Sequence, residues 1–320
     1  MNKLNRIIKS YYIPFSRIIH EAWALFFPWS YAKYHYYKAT GKKIDLKNPR
    51  DFDQKNYWLR LNSDLTLWTE LADKHKVREY VEQCGHGEIL TKLYGVWEKA
   101  EDIDFNKLPD KFVLKTNHSF GKVYLVPDKS KLDTEKVRKQ LNKWLGKKNG
   151  LLTFEPHYWN IPRKIIAEEY LQDNNTSNLS SSLIDYKFFC INGKPEVIKV
   201  MFNRTLKSNK DKNKPGYQTL ALDLDWNLMN HIVPESKKKV HSLVIPRPEC
   251  LEEMIIISRA LAKPFPQVRV DLYEVNGKVY FGELTFTPGG GRKFTPEYLN
   301  YLGEKMDLSL AKPRTKRFIV

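Results

Sequence analysis

Residues 268–292 read VRVDLYEVNGKVYFGELTFTPGGGR, and this stretch decides the fold. Two runs of β-branched and aromatic residues flank Asn276-Gly277, a pair typical of a tight turn between antiparallel strands. Four polar residues interrupt the two runs, and they are Arg269, Asp271, Glu283 and Thr285. The sequence therefore predicts a β-hairpin that carries charged groups among apolar ones.

The polar residues of this hairpin indicate a site for a metal ion and a phosphate. Polar groups in an apolar hairpin are costly to bury unless something binds them. Asp271 and Glu283 on neighbouring strands can hold a hard cation such as Mg²⁺, which prefers oxygen ligands. Arg269 would add a fixed positive charge for a phosphate. The alternative is an ordinary antiparallel hairpin with one solvated face.

The alternation of side chains along the two strands tests the metal interpretation. With a two-residue turn, a regular ladder places Asp271 opposite Gly282 and directs Glu283 to the other face. Both carboxylates reach one face only if the loop has an odd length or a β-bulge shifts the register. We therefore predict such an irregularity between Asp271 and Glu283.

The composition points to a globular protein with anionic partners. The chain has 320 residues, of which 42% are hydrophobic and 28% charged, and its net charge is +17. A positive field of this size favours nucleotides, acidic glycans or an anionic membrane surface. The basic residues are dispersed and accompany no zinc-finger or RNA-binding signature, so we expect no nucleic-acid partner.

Cysteine usage and hydropathy indicate a cytoplasmic protein. The three cysteines, Cys84, Cys190 and Cys250, are far apart and odd in number, which argues against a disulfide framework or a zinc site. No uninterrupted apolar run has the length of a membrane-spanning helix. The basic N-terminus lacks the cleavage pattern of a signal peptide.

The first fifty residues combine aromatic and basic side chains. Residues 13–37 are rich in Trp, Phe and Tyr, with Lys and Arg scattered among them. Such a segment can lie peripherally at the inner face of an anionic membrane. The alternative is a helical arm that packs on the body of the protein or on a second subunit.

Residues 51–85 then show apolar residues at helical spacing, and Gly85 is the expected end of the last helix.

A strand, polar turn and strand follow at residues 111–126, read KFVLKTNHSFGKVYLV. Lys115 ends the first strand. The turn contains Asn117, His118, Ser119, Gly121 and Lys122, and backbone N–H groups with a hydroxyl and a Lys can fold over phosphates. A solvent-exposed surface hairpin has a similar sequence, and for His118 we keep the alternative of a surface turn residue.

Two further segments carry polar residues next to predicted strands. Residues 164–171, KIIAEEYL, form an apolar strand that ends in two carboxylates and can serve as a hinge against an adenine ring. Residues 185–204 predict a second hairpin with an Asn-Gly turn, with Asp185 and Lys187 on one face at its start. An amphipathic helix is predicted before both segments, at 133–145, with Asp133 as N-cap. A buried helix that starts with Pro near its N-terminus is predicted after them, at 248–262.

In this order, these segments resemble the TupA-like ATP-grasp family. The resemblance lies in LADKHKVREYV, LYGVWEKAEDIDFNKLPDKFVLKTNHSFG, IIAEEYL, DYKFFCINGKP, DLDWNL and VRVDLYEVNGKVYFGELTFTPGGG, and it covers roughly residues 50–300. It implies an α+β fold, with two subdomains that grip ATP and a mainly helical N-terminal region. The implied division is a helical arm at 1–50, a pre-ATP-grasp region at 51–110, a small subdomain at 111–171, a large subdomain with the metal site at 172–306, and a basic tail at 307–320.

The resemblance also implies roles for individual residues. Lys115 would contact the α- and β-phosphates with Lys74 as an earlier basic residue, and the turn from Asn117 to Lys122 would close over them. The adenine hinge would comprise Glu168, Glu169, Tyr170 and Leu171, with Asp185 and Lys187 near ribose or phosphate. Asp271 and Glu283 would bind Mg²⁺. Thr285 stands where such enzymes commonly have Asn, and a hydroxyl is a weaker metal ligand.

The implied activity is an ATP- and Mg²⁺-dependent ligase that joins a carboxylate to an amine through an acyl phosphate. Arg269 and Lys187 would act on the transferred phosphoryl group. The family is named for teichuronopeptide synthesis and occurs with surface-polysaccharide and capsule functions, so the expected substrates are an acidic sugar or polysaccharide precursor and an amine donor. The alternative is a glycosyltransferase that uses the Asp223-Leu224-Asp225 motif for its metal.

Overall fold

The structure is a computed structural model of the 320-residue chain. It describes residues 16–174, 178–204, 216–238, 240–289 and 294–315. Within these ranges the protein has a helical N-terminal region followed by two antiparallel sheets with helices packed on them. The predicted α+β class, with a mainly helical N-terminal region, is confirmed.

From residue 16 onward, where the structure describes the chain, the N-terminal region forms five helices. They are α1 (16–26), α2 (Pro28–Thr40), α3 (Phe52–Asn62), α4 (Thr66–Ala72) and α5 (Val77–Gln83). The Asp51 side chain caps α3 by accepting a hydrogen bond from the Gln54 backbone N–H. The apolar periodicity of residues 52–71 runs through the break between α3 and α4. The chain turns there because Ser63 pairs with Pro313 and Asp64 accepts a bond from the Thr66 N–H at 3.0 Å.

The smaller sheet has four strands in the order β1-β4-β2-β3. Its strands are β1 (Leu93–Trp97), β2 (Phe112–Thr116), β3 (Val123–Val126) and β4 (Ile165–Glu169). Helix α6 (Thr134–Leu145) begins at the predicted cap Asp133 and buries Val137 and Leu141 in the core under this sheet. Strand β1 precedes residue 111 but pairs with β4, so the sheet includes part of the region before the small subdomain.

The larger sheet has five strands in the order β7-β6-β5-β8-β9. Its strands are β5 (Asp185–Ile191), β6 (Lys194–Phe202), β7 (Gln218–Leu222), β8 (Gln267–Val275) and β9 (Lys278–Thr285). Helices α7 (Leu251–Ala262) and α8 (Pro296–Lys305) contribute to its core. Both predicted Asn-Gly turns are present, and their residues have the positive φ values that this turn type needs.

The main hydrophobic core joins the larger sheet to helices α3 to α5. Trp68 of α4 stacks on Phe286, just after β9, with ring centroids 4.9 Å apart. Next to it, Tyr80 of α5 donates a hydrogen bond to the Leu261 carbonyl at 2.9 Å. This packing fixes the segment from α4 to α5 against the end of β9, and so determines where Lys74 and Arg78 lie.

Candidate active site

A register shift brings the hairpin carboxylates to one face. In the β8–β9 ladder Leu272 is opposite Phe281 and Asp271 is opposite Glu283, so the pairing skips Gly282. The predicted irregularity between Asp271 and Glu283 is therefore confirmed. It is a β-bulge at Gly282, and the Asn-Gly turn itself keeps its two residues.

Arg269 connects the polar residues of this face. Its guanidinium donates two bonds to the Asp271 carboxylate, each at 2.6 Å, and one to the Thr285 hydroxyl at 3.0 Å. It also lies 3.4 Å from Glu283, to which the Thr285 hydroxyl donates at 3.2 Å. Thr285 thus orients Glu283 and Arg269, as a hydroxyl that both donates and accepts can do.

Strand β5 adds a second layer of charge beside Asp271. Lys187 lies between two carboxylates, 2.5 Å from Asp271 Oδ2 and 2.7 Å from Asp185 Oδ2. Arg204 reaches the same Asp185 oxygen at 2.8 Å. Because Asp185, Lys187 and Asp271 are all buried, their charges are compensated by one another and by Arg204 and Arg269.

The two buried aspartates differ in their pKa values. Burial raises the pKa of Asp185 above its usual value, although Lys187 and Arg204 oppose this effect. Burial also acts to raise the pKa of Asp271, but Arg269 and Lys187 outweigh it and hold that pKa below its usual value. Asp185 Oδ1 is buried and accepts no hydrogen bond from the part of the chain that the structure describes. Asp271 is therefore the more firmly ionised of the pair.

A cavity between the two sheets lies beside Glu283, because Lys74 and Gly282 line it. Its lining comes from the α5 region, from β2 and β4 of the smaller sheet and from β9 of the larger one. The lining residues are Lys74, Arg78, Leu90, Thr91, Lys115, Glu168, Phe281 and Gly282. Three of them are cationic, and the only carboxylate among them is Glu168. The cavity therefore favours an anionic group.

Ion pairs hold the cations of the cavity in place. Lys115 lies 2.6 Å from Glu168, and Arg78 lies 3.6 Å from it while donating to the Thr91 carbonyl at 2.7 Å. Lys74 spans the two halves of the site, because it donates to the Ser119 carbonyl at 2.7 Å and lies 3.7 Å from Glu283.

The turn after β2 uses its polar side chains internally. Asn117 donates to the Pro162 carbonyl and accepts from the Lys164 N–H, both at 2.7 Å, and so ties the end of β2 to the start of β4. The Ser119 hydroxyl bonds to Thr116. His118 is buried near the Lys147 carbonyl, and burial lowers its pKa to about 4. His118 is thus not a surface turn residue but a neutral, buried side chain.

The remaining predicted residues lie around this turn and at the end of β4. Gly121 has a φ of +64°, and both it and Phe120 are exposed. Lys122 is half-buried. Of the predicted hinge, Glu168 faces Lys115, whereas Glu169 accepts a bond from the Lys92 N–H at 3.3 Å. Tyr170 and Leu171 follow the end of β4 and are half-buried.

Two basic residues of the site, Arg78 and Arg204, were not assigned a role from the sequence. Arg78 lies in α5, four residues after Lys74 in the turn before that helix, and its nearness to Lys74 in the chain could have identified it. Arg204 follows the end of β6 and reaches Asp185 only because β5 and β6 pair.

Gly282→Ala is expected to impair activity because Gly282 forms the bulge. A Cβ at this position would lie 2.9 Å from the Asp271 carbonyl oxygen and 3.0 Å from the Tyr273 ring, so the backbone must shift beneath the carboxylate pair. We expect ATP turnover to fall by at least about tenfold, since a 1 Å displacement of catalytic groups has effects of this order or larger. Gly146→Ala is the matched control, because its Cβ meets only an ordinary contact at 3.5 Å. Equal turnover in the two variants would contradict a role for the bulge.

A comparison with known protein families identifies the family of this chain. The family model described as TupA-like ATPgrasp matches residues 54–307. The chain belongs to the TupA-like ATP-grasp family. The resemblance seen in the sequence is confirmed, and with it the ATP-grasp fold. ATP-grasp ligases join a carboxylate to an amine at the expense of ATP, and the chain is an ATP-grasp ligase in this general sense.

Solved structures of ATP-grasp ligases are similar at low identity. A D-alanine–D-alanine ligase from Bacillus anthracis, solved with ATP, is 15% identical with a TM-score of 0.44, over 78% of this chain and 68% of that one. An L-amino acid ligase from Bacillus licheniformis is 14% identical with a TM-score of 0.43, over 78% of this chain and 50% of that one. No curated protein matches the chain. The family match carries the assignment.

The oxygen atoms on the β8–β9 face fit a magnesium ion. Asp271, Glu283 and Thr285 offer carboxylate and hydroxyl oxygens, the ligand type that Mg²⁺ takes, and Arg269 contacts all three. In the described ranges, no three or more His, Cys, Asp and Glu side chains group as a metal site. Mg²⁺ is commonly held by one or two carboxylates and completes its shell with waters and substrate phosphates.

Proposed function

We propose that the protein is an ATP- and Mg²⁺-dependent ligase that forms a C–N bond between an acidic sugar or surface-polysaccharide precursor and an amine, of the acid–amino acid type. The observation that carries the proposal is the position of the cationic cavity. It lies between the two sheets, and Lys74 links it to the Asp271–Glu283 pair. A phosphate group at this cavity would lie beside the charged face of β8 and β9, so a nucleotide bound between the sheets would direct its phosphates there.

The net positive charge of the site supports two anionic substrates, ATP and the acid. Six cationic side chains and four carboxylates take part, an excess of two positive charges. They are Lys74, Arg78, Lys115, Lys187, Arg204 and Arg269 with Glu168, Asp185, Asp271 and Glu283. Phosphoryl transfer consists largely of positioning and of neutralising developing charge, and cations fixed in this way supply both.

In the proposed reaction, a substrate carboxylate oxygen attacks the γ-phosphorus of ATP and releases ADP. The amine then attacks the acyl carbon, and inorganic phosphate leaves. Mg²⁺, when held by Asp271 and Glu283, would neutralise phosphate charge. Arg269 is fixed by Asp271 and Thr285 in a position to hold the transferred phosphoryl group. Lys187, between Asp185 and Asp271, keeps the carboxylates in place and would present its charge to the phosphates.

The alternative of a glycosyltransferase gains no support from the Asp223-Leu224-Asp225 motif. The Asp223 carboxylate accepts bonds from the Asp225 N–H at 3.0 Å and the Asn227 N–H at 2.7 Å. Its second oxygen accepts from the Asn227 side chain at 3.0 Å. Asp223 therefore closes its own turn, a common use of Asp.

The test of the proposal is trapping of the acyl phosphate. The protein is incubated with ATP, Mg²⁺ and a panel of uronic acids and acidic oligosaccharides, with hydroxylamine in place of the amine. We expect ADP release that depends on the acid, and an acyl hydroxamate detected by mass spectrometry. Amino acids then replace hydroxylamine to identify the amine donor. Transfer of a sugar from a nucleotide sugar without any requirement for ATP would refute the ligase and support the glycosyltransferase.

Lys115→Ala is expected to weaken binding of MgATP. Lys115 lines the cavity, and a charge-assisted bond to a phosphate contributes about 2 kcal/mol, or roughly a thirtyfold change in Kd. Calorimetry with a non-hydrolysable ATP analogue gives the Kd. The control is Lys111→Ala, since Lys111 is exposed just before the same strand. An unchanged Kd in Lys115→Ala would remove Lys115 from the phosphate site.

We place this reaction in the cytoplasm, where ATP is supplied. The three cysteines are free, with Cys190 buried and Cys84 and Cys250 half-buried, as expected in a reducing compartment. Among the described residues, no helix is long and apolar enough to cross a bilayer.

A further inference from the structure

Large apolar side chains are exposed on the outer side of helices α1 and α2. Phe26 is 76% exposed, Phe27 66% and Ile18 62%. The set, here called the outer patch, is Ile18, Ile19, Phe26, Phe27, Trp29 and Tyr37. These residues come from two consecutive helices and the joint between them. Single exposed apolar residues are ordinary, but several from one short segment mark an interaction surface.

The outer patch is not simply the uncovered side of a loosely attached arm. The opposite side of both helices is anchored to the body. Trp23 packs on Tyr31 with ring centroids 5.5 Å apart, and Tyr31 donates to the Leu152 carbonyl at 3.1 Å. Tyr36 packs edge-on against Tyr57 of α3 at 5.3 Å. The inner aromatic residues therefore fix the helices and leave the outer patch facing outward.

Basic residues accompany the outer patch. Residues 16–50 contain seven Lys and Arg but only two Asp and Glu, an excess of five positive charges. Lys33, Lys38, Lys42 and Lys43 are exposed. A surface that combines Ile, Phe and Trp with several Lys complements a bilayer with anionic headgroups, because aromatic rings favour the headgroup level and Lys favours its negative potential.

We propose that the outer patch docks the protein on an anionic membrane surface. A second copy of the chain fits this surface less well. A twofold dimer through the patch would place the same basic segment of both copies at one interface, where like charges oppose each other. An anionic membrane neutralises these charges and accepts Phe26, Phe27 and Trp29 at the same time. Docking does not depend on the ligase reaction proposed above.

The test is co-sedimentation of the full chain with lipid vesicles. Vesicles of phosphatidylglycerol and phosphatidylcholine in equal parts are compared with vesicles of phosphatidylcholine alone. We expect the protein to sediment with the anionic vesicles at low salt and to be released as the salt concentration rises. F26S/F27S and K33E/K38E are each expected to lower the bound fraction at least about fivefold.

Two control variants distinguish docking through the outer patch from nonspecific hydrophobic or electrostatic binding to the vesicles. I256S removes an apolar side chain of α7 that is 61% exposed, and K136E/K139E reverses two exposed Lys on α6. Both are expected to bind like the unaltered protein, and thermal melts verify that all variants fold. Docking is refuted if the full chain stays in the supernatant, or if F26S/F27S binds as well as I256S. Analytical ultracentrifugation without lipid tests whether the patch binds a second copy of the chain. A dimer that F26S/F27S dissociates would show that it does, and would refute membrane docking.

Discussion

Glu283→Gln is expected to lower ATP turnover by about a hundredfold to a thousandfold while the protein remains folded. The substitution keeps the shape of the side chain and removes its charge. Glu283 is half-buried and its carboxylate lies 3.4 Å from Arg269 and 3.7 Å from Lys74, so folding does not depend on it strongly. Turnover is measured as ADP release at saturating Mg²⁺, and stability as the midpoint of urea unfolding.

The same chemical change at Asp271 should have a second effect. Asp271 is buried and balances Arg269 and Lys187, so Asp271→Asn leaves the buried Lys187 and the partly buried Arg269 with one carboxylate fewer. Removing one partner of a buried ion pair costs about 3 to 5 kcal/mol. We therefore expect Asp271→Asn to lose both activity and stability. Asp102→Asn, at an exposed carboxylate, is the control for both measurements. If Asp271→Asn and Glu283→Gln are both fully active, the assignment of the metal pair is wrong.

The bulge shows which features of the site could be predicted from local sequence rules and which could not. Alternation of side chains along a strand is strict, so the hypothesis that Asp271 and Glu283 share one face was enough to require an irregularity between them. The rule did not give its location, because a bulge depends on what the backbone must approach. In the structure Gly282 is skipped, and it lies against the Asp271 carbonyl, where a Cβ would not fit.

Contacts between distant segments were less accessible from the sequence. Lys74 and Glu283 are far apart in the chain, and their proximity depends on Trp68 packing against Phe286. For the turn after β2, the composition indicated phosphate binding, but composition does not show which way Asn117, His118 and Ser119 point. All three are buried, and their bonds hold β2, β4 and Lys74 in place. The Asn117 N–H donates to the Lys164 carbonyl at 3.0 Å, so the backbone N–H groups of His118 and Ser119 are the ones that remain proposed phosphate contacts.

Lys187→Met is expected to cause a large loss of stability at this site. Lys187 is buried and lies within 2.7 Å of both Asp185 and Asp271. Met fills a similar volume without charge, so the variant leaves two buried carboxylates with only Arg204 and Arg269 as partners. The expected cost is about 3 to 5 kcal/mol, measured by urea unfolding at neutral pH. The control is Lys278→Met, an exposed Lys at the start of β9.

The pH dependence of this loss separates electrostatics from packing. The folded protein raises the pKa of Asp185 through burial, so the protonated carboxyl is favoured in the folded state, and this contribution to stability is lost as the pH rises through the folded pKa. Without Lys187 that pKa rises further. The difference in unfolding free energy between the unaltered protein and Lys187→Met should therefore grow as the pH rises from the ordinary pKa of an aspartate towards neutrality. Adding Asp185→Asn to Lys187→Met removes the buried charge, and should recover part of the stability at neutral pH and flatten the dependence. A difference that stays constant across this range would mean that Met disturbs the packing and that Lys187 does not neutralise Asp185.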